Sequence, residues 1–161
     1  MHIIYLLLGS NIGDRLEWLK KAREGIEKTI GHIYTQSSVY QTEPWGFSHK
    51  EDFYNQVIIA TSDLHPAQIL KGCLQIEKTL GRRRKKRGYE ARNIDIDILI
   101  IDDLIIETEG LKVPHPRLHE RLFTLVPLCE LAPYLIHPVL KKSMNQLLLE
   151  CNDKNRVSRI Q

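Results

Sequence analysis

The chain has 161 residues, the size of one ordinary domain, so its length predicts a single domain over residues 1–161. A composition of 42% hydrophobic and 27% charged residues is that of a globular protein, which excludes a disordered or low-complexity chain. The net charge of +3 is too small to mark a nucleic-acid binder by itself.

The first half of the chain alternates between strand and helix patterns. Three stretches are apolar or β-branched at strand length and predict strands: Ile3–Leu8, Ile33–Tyr40 and Phe53–Thr61. After the first strand, Asp14 can cap a helix whose apolar residues recur at helical spacing until Gly31. The polar stretch TEPWGFSHKED predicts a long loop before the third strand, and loops of this length are usually functional.

The second half begins with a helix that starts at Pro66 and stops at Gly81, followed by the basic segment GRRRKKRGYEAR. The remaining elements follow from the same patterns: a strand at Asn93–Ile101, a hairpin turn at 102–103 with a return strand at Leu104–Ile106, helices at Arg121–Leu131 and Ser143–Cys151, and a polar tail.

The order of strand, helix, strand, strand, helix and strand is that of the ferredoxin-like βαββαβ core. We therefore expect an α+β fold, with an antiparallel-containing sheet, helices on one face, an extra C-terminal hairpin strand and C-terminal helices. No internal repeat or linker marks a second domain.

Two features bear on location. The apolar runs are far shorter than the roughly 20 residues that span a bilayer, and the first lacks the basic start and cleavage site of a signal peptide. Cys73, Cys129 and Cys151 are odd in number and far apart, which predicts reduced thiols rather than disulfides or a zinc site. We therefore expect a cytoplasmic protein.

The predicted strand that contains RNIDIDILII carries two carboxylates in an isoleucine-rich frame. Alternate residues share a face, so Asp95 and Asp97 point the same way, about 6.5 Å apart, with Leu99 and Ile101 further along that face. Two carboxylates at the border of a core need a cation, and their oxygen atoms suit Mg²⁺ that also binds phosphate. The alternative is an edge strand whose aspartates simply face water. The isoleucine frame and the neighbouring arginines favour the metal site.

The basic segment before this strand holds seven positive charges, at residues 82–87 and at Arg92. They can bind a polyphosphate through charge-assisted hydrogen bonds, or they can bind a nucleic-acid backbone. A solvated loop is the third interpretation. Because the segment runs directly into the two aspartates, nucleotide phosphate chemistry is favoured. We expect the loop Arg82–Arg92 to close as a lid over a bound triphosphate.

Several short motifs occur in a fixed order between residues 3 and 140. They are YLLLGSN at 5–11, DFYNQV at 52–57, RNIDIDIL at 92–99 and VPHPR at 113–117. No single motif is decisive, but the ordered set is highly specific. In these motifs the chain resembles the 6-hydroxymethyl-7,8-dihydropterin pyrophosphokinase family.

The resemblance implies an ATP-dependent diphosphotransferase of folate biosynthesis. Such an enzyme transfers pyrophosphate from ATP to the hydroxymethyl group of the reduced pterin and releases AMP. The resemblance also implies two Mg²⁺ ions as cofactors, with Asp95 and Asp97 as their ligands, and ATP as co-substrate. Small molecules are then the only partners, with no nucleic acid or membrane, and the expected state is a monomer.

The resemblance assigns the remaining site residues by motif position. The catalytic residues are Arg82, Arg92, Asp95 and Asp97. The pterin contacts are Thr42, Glu43, Trp45, Phe53, Asn55 and Phe123, with the two phenylalanines stacking on the ring and Asn55 hydrogen-bonded to it. The ATP contacts are Leu70, Glu77, Arg82, Arg84, Arg92, Ile98, Lys112, His115 and Arg121.

Three features depart from the usual family pattern. The family follows its loop arginine with an aromatic residue and Gly-Pro, whereas this chain has RGYEAR at residues 87–92. Glu43 stands where a small residue or proline is common, and Lys112 where a hydroxyl residue is common. These departures concern the details of the lid and the pocket rather than the reaction.

Two other functions are weighed against this one. An RNA-binding module on a ferredoxin-like sheet would use the basic segment for the backbone and sheet aromatics for the bases. This chain instead places two aspartates on its last core strand, and these would repel phosphate without a metal. An inactive homologue is the other alternative, and the presence of both aspartates, Asn55 and Arg92 argues against it.

Overall fold

The computed structural model describes residues 1–46, 51–81 and 93–160. Its strands are β1 (His2–Ser10), β2 (His32–Gln36), β3 (Tyr40–Thr42), β4 (Phe53–Ser62), β5 (Asp95–Ile101), β6 (Ile106–Glu107), β7 (Lys112–Val113) and β8 (Val157–Arg159). Its helices are α1 (Arg15–Thr29), α2 (Pro66–Thr79), α3 (Leu122–Leu131) and α4 (Met144–Glu150), with a short 3₁₀ helix at Leu118–Glu120. None of the helices in the described ranges has the length and apolar character that a bilayer crossing requires.

Six strands form one antiparallel sheet in the order β5-β1-β4-β3-β8, and β2 also pairs with β4. Strands β2 and β3 together take the place of the second core strand, so the predicted ferredoxin-like α+β fold is confirmed. The predicted single strand Ile33–Tyr40 is divided at Ser37, whose hydroxyl accepts a hydrogen bond from the Val57 amide at 3.0 Å. This side-chain bond takes a position that a strand-to-strand bond would otherwise occupy.

Helices cover both faces of the sheet. Helices α1 and α2 pack on the face that carries Leu6 and Leu8, whereas α3 and α4 pack on the face that carries Leu7. The expectation of helices on one face therefore holds for α1 and α2 and is wrong for the C-terminal pair. The physical reason lies in β1, where these consecutive leucines are all buried, so both faces of the central strand need an apolar cover.

A β-bulge in β5 alters which residues share the face of the two aspartates. Tyr5 pairs with Ile100 and Leu6 pairs with Ile98, so Leu99 is an extra residue on β5. Beyond the bulge the alternation is shifted, and Leu99 packs with the α3–α4 core while Ile101 packs with the α1–α2 core. The expectation that Ile101 lies on the aspartate face is therefore wrong, whereas that for Leu99 is correct.

The predicted hairpin after β5 has a different partner from the expected one. The chain does turn at 102–103, with the Leu104 amide bonded to the Ile101 carbonyl at 3.0 Å, but β6 pairs with β7 and not with β5. The outer edge of β5 is already occupied, because Glu77 accepts from the Ile96 amide and the His115 amide donates to the Leu99 carbonyl. A returning strand at Leu104–Ile106 would have to displace both bonds.

The polar tail ends in a strand that the sequence analysis does not anticipate. Strand β8 adds to the outer edge of β3, with Val157 opposite Thr42 and Arg159 opposite Tyr40. Its three residues are too short and too polar to give a strand pattern, so its pairing depends on the edge that β3 offers.

Candidate active site

The ends of β1, β3, β4 and β5 meet around Gly9, on the face of the sheet that α3 covers. Gly9 lies in β1 directly opposite Asn55 of β4 on one side and Asp95 of β5 on the other. Adjacent strands are about 4.8 Å apart, so the backbones at Asn55 and Asp95 are separated by about 10 Å. A Cβ atom on Gly9 would lie 2.7 Å from Oδ1 of Asn55 and 3.7 Å from a ring carbon of Phe53. Gly9 therefore lies between a buried amide and a carboxylate, and its lack of a side chain lets the Asn55 amide pack against the backbone of β1.

The two aspartates lie on one face of β5, as predicted. Asp95 is opposite Gly9 and Asp97 is opposite Leu7, and residues paired in this way point to the same side of a sheet. Leu7 belongs to the α3–α4 core, so the carboxylates stand at the border of that core and are partly exposed. Two carboxylate groups are too few for an all-protein cage, and in the described ranges no three His, Cys, Asp or Glu side chains converge on a metal position. Oxygen donors of this number fit Mg²⁺, which completes its shell with water and substrate phosphate.

Glu77 holds the backbone between these two aspartates. It lies in the last turn of α2, is 2% exposed, and accepts a hydrogen bond from the Ile96 amide at 2.9 Å. Because Ile96 lies between Asp95 and Asp97, this bond fixes the peptide that sets their separation. The structure thus shows a supporting contact for a residue whose predicted contact is ATP.

His115 is neutral at pH 7 and has a defined tautomer. Its Nδ1 accepts a hydrogen bond from the Arg117 amide at 3.1 Å, so Nε2 carries the proton. Burial, reinforced by the positive charges of Arg121 and Arg117, lowers its pKa to about 4, although the negative charge of Asp95 acts in the opposite direction. His115 therefore offers an N–H donor near Asp95 without a positive charge.

Asn55 and Thr42 form the polar part of the pocket on the other side of Gly9. Nδ2 of Asn55 donates to Oγ1 of Thr42 at 2.6 Å, and both residues are buried. Thr42 is opposite Phe53 across the β3–β4 pair, which brings these three residues together. The arrangement joins directional polar atoms to an aromatic ring, as binding sites for flat heterocycles do.

Trp45, Arg121 and Phe123 form an aromatic cluster around one guanidinium group. The guanidinium carbon of Arg121 lies 4.6 Å from the centre of the Trp45 ring and 5.3 Å from that of Phe123, distances typical of cation–π contacts. Arg117 contacts the same Trp45 ring at 5.3 Å. Arg121, an expected ATP contact, is therefore buried beside two expected pterin contacts.

Other predicted site residues lie further from Gly9 or have different contacts. Oε1 of Glu43 accepts from the Arg156 amide at 2.6 Å, so it is bound to the C-terminal tail. Ile98 is buried in the α1–α2 core, and Leu70 packs against the same core. Lys112 is exposed in β7, opposite Glu107. Arg82, Arg84 and Arg92, and with them the expected lid, lie outside the described residues.

Sequence reasoning missed two residues that shape this site. Gly9 and Arg117 stand in the motifs YLLLGSN and VPHPR, but neither is assigned a role from the sequence. The signal for Gly9 was available, because a glycine at the end of a buried strand often marks a close approach. No sequence signal placed Arg117 against Trp45, since that contact depends on how the loop after β3 folds back.

The fold and this geometry define a ferredoxin-like α+β domain with a ligand site at one end of its sheet. The family model of 7,8-dihydro-6-hydroxymethylpterin-pyrophosphokinase (HPPK) matches residues 5–133. A 2-amino-4-hydroxy-6-hydroxymethyldihydropteridine pyrophosphokinase from Aquifex aeolicus is 40% identical over 146 residues, which are 91% of this chain and 90% of that protein. A protein of the same name from Porphyromonas gingivalis is 43% identical over 141 residues, 86% of this chain and 95% of that protein. The chain therefore belongs to the HPPK family.

Solved structures agree on the fold. Wild-type Plasmodium falciparum HPPK-DHPS with pteroate superposes with a TM-score of 0.77 at 17% identity, covering 92% of this chain and 44% of that chain. An HPPK-DHPS in complex with substrates gives a TM-score of 0.75 at 14% identity, covering 92% of this chain and 43% of that one. This chain thus spans less than half of those longer chains, and at these identities the likeness shows the fold.

Proposed function

We propose that this chain transfers pyrophosphate from ATP to the hydroxymethyl group of 6-hydroxymethyl-7,8-dihydropterin, with release of AMP, as a step of folate biosynthesis. Its membership of the HPPK family supports the reaction. The structural observation that carries the proposal is the row Asn55–Gly9–Asp95, in which a buried amide and the first carboxylate of the pair lie on the same face of the sheet, on either side of a glycine. A flat substrate bound at the amide would have its hydroxyl group next to a triphosphate bound at the carboxylates.

The chemistry balances without a covalent enzyme intermediate. The hydroxymethyl oxygen attacks the β-phosphorus of ATP, the new O–P bond forms, and the bond between that phosphorus and the bridging α,β-oxygen breaks. AMP leaves with the bridging oxygen, and the hydroxyl proton passes to water. Catalysis of this kind depends mainly on positioning and on charge neutralisation.

Asp95 and Asp97 would hold two Mg²⁺ ions, and they are proposed as catalytic residues together with Arg82 and Arg92. When bound, the metal neutralises and orients the triphosphate. What this chain supplies is a pair of oxygen donors on one face of a strand, with Glu77 fixing the peptide between them. This bond holds the backbone from which both carboxylates project.

The pterin would lie over Gly9, in contact with Thr42, Glu43, Trp45, Phe53, Asn55 and Phe123. The Asn55–Thr42 hydrogen bond supports this assignment, because it fixes the orientation of the amide that would read the ring edge. Stacking on an aromatic face contributes about 1 kcal/mol beyond burial.

The ATP would be bound by Leu70, Glu77, Ile98, Lys112, His115 and Arg121, with Arg82, Arg84 and Arg92 on its phosphates. The orientation of His115 supports its part, because a neutral ring with its proton on Nε2 can donate to a phosphate or ribose oxygen. It does so without adding charge next to Asp95.

We also propose that residues 1–161 form one pterin pyrophosphokinase domain that acts as a cytoplasmic monomer on small molecules. The three free thiols, at Cys73, Cys129 and Cys151, support a reducing compartment.

The test is product analysis with ATP, Mg²⁺ and the reduced pterin. Equal amounts of AMP and pterin diphosphate are expected, and ADP in place of AMP would contradict the proposal. Asp97→Asn keeps the shape but removes one charge, so turnover should fall at least about 100-fold while the fold is retained. Near-normal turnover of that variant at ordinary Mg²⁺ concentration would contradict the metal assignment.

A further inference from the structure

We infer that the C-terminal segment 153–160, called here the strap, positions the pterin-binding residues from outside their pocket. The inference rests on the proposed function, since it concerns the same site. The strap lies beyond residues 5–133, which the family model matches. It contacts three segments that are distant in sequence, and each of them adjoins a predicted pterin contact.

The first contact is with β3 and the residue that follows it. Val157 is opposite Thr42 in the β3–β8 pair. Beyond the strand, the Arg156 amide donates to Oε1 of Glu43 at 2.6 Å, and the Glu43 amide donates to the Arg156 carbonyl at 3.3 Å. Strand β3 has only three residues, so β4 on one side and the strap on the other hold Thr42 in place.

The second contact is with Asp52, the residue before Phe53. Nη2 of Arg156 donates to Oδ2 of Asp52 at 3.0 Å, and Nε2 of Gln41 donates to the same oxygen at 3.1 Å. The Asp52 carbonyl accepts from Nη1 of Arg15 at 2.8 Å. Bonds from three directions therefore fix the point at which the chain enters β4.

The third contact is with the start of α3. Oδ2 of Asp153 accepts from the Leu122 amide at 3.0 Å, while its Oδ1 accepts from the Asn155 amide at 2.9 Å. Arg121, the residue before the helix, makes no capping bond with its side chain, so a carboxylate from the strap caps α3 instead. A negative charge at a helix N-terminus is favourable, and here it fixes the turn that carries Phe123.

These contacts have a common consequence. Thr42, Phe53 and Phe123 all lie at the ends of elements, where backbone freedom is greatest. Holding these ends in the bound geometry lowers the entropy that pterin binding must overcome. Loss of the strap should therefore weaken pterin binding much more than ATP binding.

The first test releases β8 from β3. The bonds at Glu43–Arg156 and Val39–Ile160 alternate along the antiparallel pair, which puts the Ser158 amide in a bonded position toward β3. Ser158→Pro removes this donor, whereas the matched control Ser158→Ala removes only an exposed hydroxyl group. In the full chain, Ser158→Pro should raise the Kd of the reduced pterin about ten-fold. Ser158→Ala should leave it unchanged.

The second test removes the ion pair. Arg156→Ala should also weaken pterin binding several-fold, and its matched control is Lys154→Ala, which makes the same change in charge at an exposed position of the strap. For all four variants, the Kd of a non-hydrolysable ATP analogue should stay within about two-fold of the original value. Titration calorimetry measures the Kd of the reduced pterin and the Kd of the ATP analogue.

The possible results distinguish a failure of the inference about the strap from a failure of the proposed function. Hydrogen exchange of the amides at 40–43 and 122–124, in the ligand-free chain, should be faster in Ser158→Pro than in Ser158→Ala. If the original chain makes AMP and both Ser158 variants bind pterin equally, the inference about the strap is overturned and the function stands. If the original chain binds no pterin and makes no AMP, the proposed function fails, while the exchange rates still show whether the strap orders these segments. Equal losses of pterin and ATP-analogue affinity would indicate general destabilisation and would also overturn the inference.

Discussion

The absence of a side chain at Gly9 lets the Asn55 amide pack directly against β1, beside the strand that carries Asp95. Its backbone pairs with strands on both sides, and the added Cβ would approach Oδ1 of Asn55 to 2.7 Å. Real Cβ atoms essentially never come this close to a buried amide, so a larger residue must displace Asn55. The site therefore depends on a residue whose importance is its small size.

Gly9→Ala tests this dependence. The variant should bind pterin about ten-fold more weakly, because overpacking a site of this kind costs about 1–3 kcal/mol. Gly110→Ala is the matched control, since the nearest atom to its Cβ lies at an ordinary 3.9 Å. Titration calorimetry measures both, and equal affinity of the two variants would contradict the account.

His115 predicts a pH dependence of stability. Its pKa is about 4 in the folded chain against 6.5 in the unfolded chain, so between these values the unfolded state binds more protons. The stability of the folded state that is linked to this lowered pKa of His115 is fully present above pH 6.5 and is lost as the pH falls toward 4. The free energy of unfolding, measured by urea denaturation, should therefore fall over this range in the original chain and fall less steeply in His115→Gln. The same slope in both would show that His115 has an ordinary pKa when folded.

At the scale of elements, Glu77 links helix α2 to strand β5. Its buried carboxylate occupies the outer edge of the strand at Ile96. Burial raises the pKa of the Cys73 thiol to about 12, with smaller contributions from the negative charges of Glu77 and Asp97. The helix thereby supports the strand that carries both aspartates.

Substitution of Glu77 measures the strength of this support. Glu77→Ala should lower the free energy of unfolding by about 1–3 kcal/mol, because it leaves a buried amide without its acceptor. Glu77→Gln retains an acceptor oxygen and should recover part of the loss. Chemical denaturation measures the free energy of unfolding of both variants and of the original chain. If all three are equally stable, the bond to Ile96 contributes nothing.

Local patterns predicted the long elements well. The alternation around Asp95 and Asp97 gave their common face, and the capping position of Asp14 was correct, since its side chain accepts from the Glu17 amide at 3.1 Å. The bulge at Leu99, the division of the second strand at Ser37 and the pairing of β8 were not predictable in this way. Each depends on a partner strand that is distant in sequence, and short-range periodicity carries no information about it.

For the whole molecule, both faces of the sheet are covered, and the proposed site lies at the border of the α3–α4 core. Only the family pattern identifies the pocket residues. Taken one at a time, Asn55, Phe53 and Phe123 are typical of ordinary strand or core positions. The family pattern does not predict the contacts that position these residues. The contacts of Glu43, Asp52 and Leu122 with the tail arise only once the chain folds back on itself.

The proposed reaction requires the pterin hydroxyl group to attack the β-phosphorus of ATP. Labelling the hydroxymethyl oxygen with ¹⁸O and recording ³¹P spectra of the products tests this directly. The isotope shift is expected on the phosphorus next to the pterin in the diphosphate product, and AMP should be unlabelled. Label in AMP, or a pterin monophosphate together with ADP, would rule out this attack on the β-phosphorus.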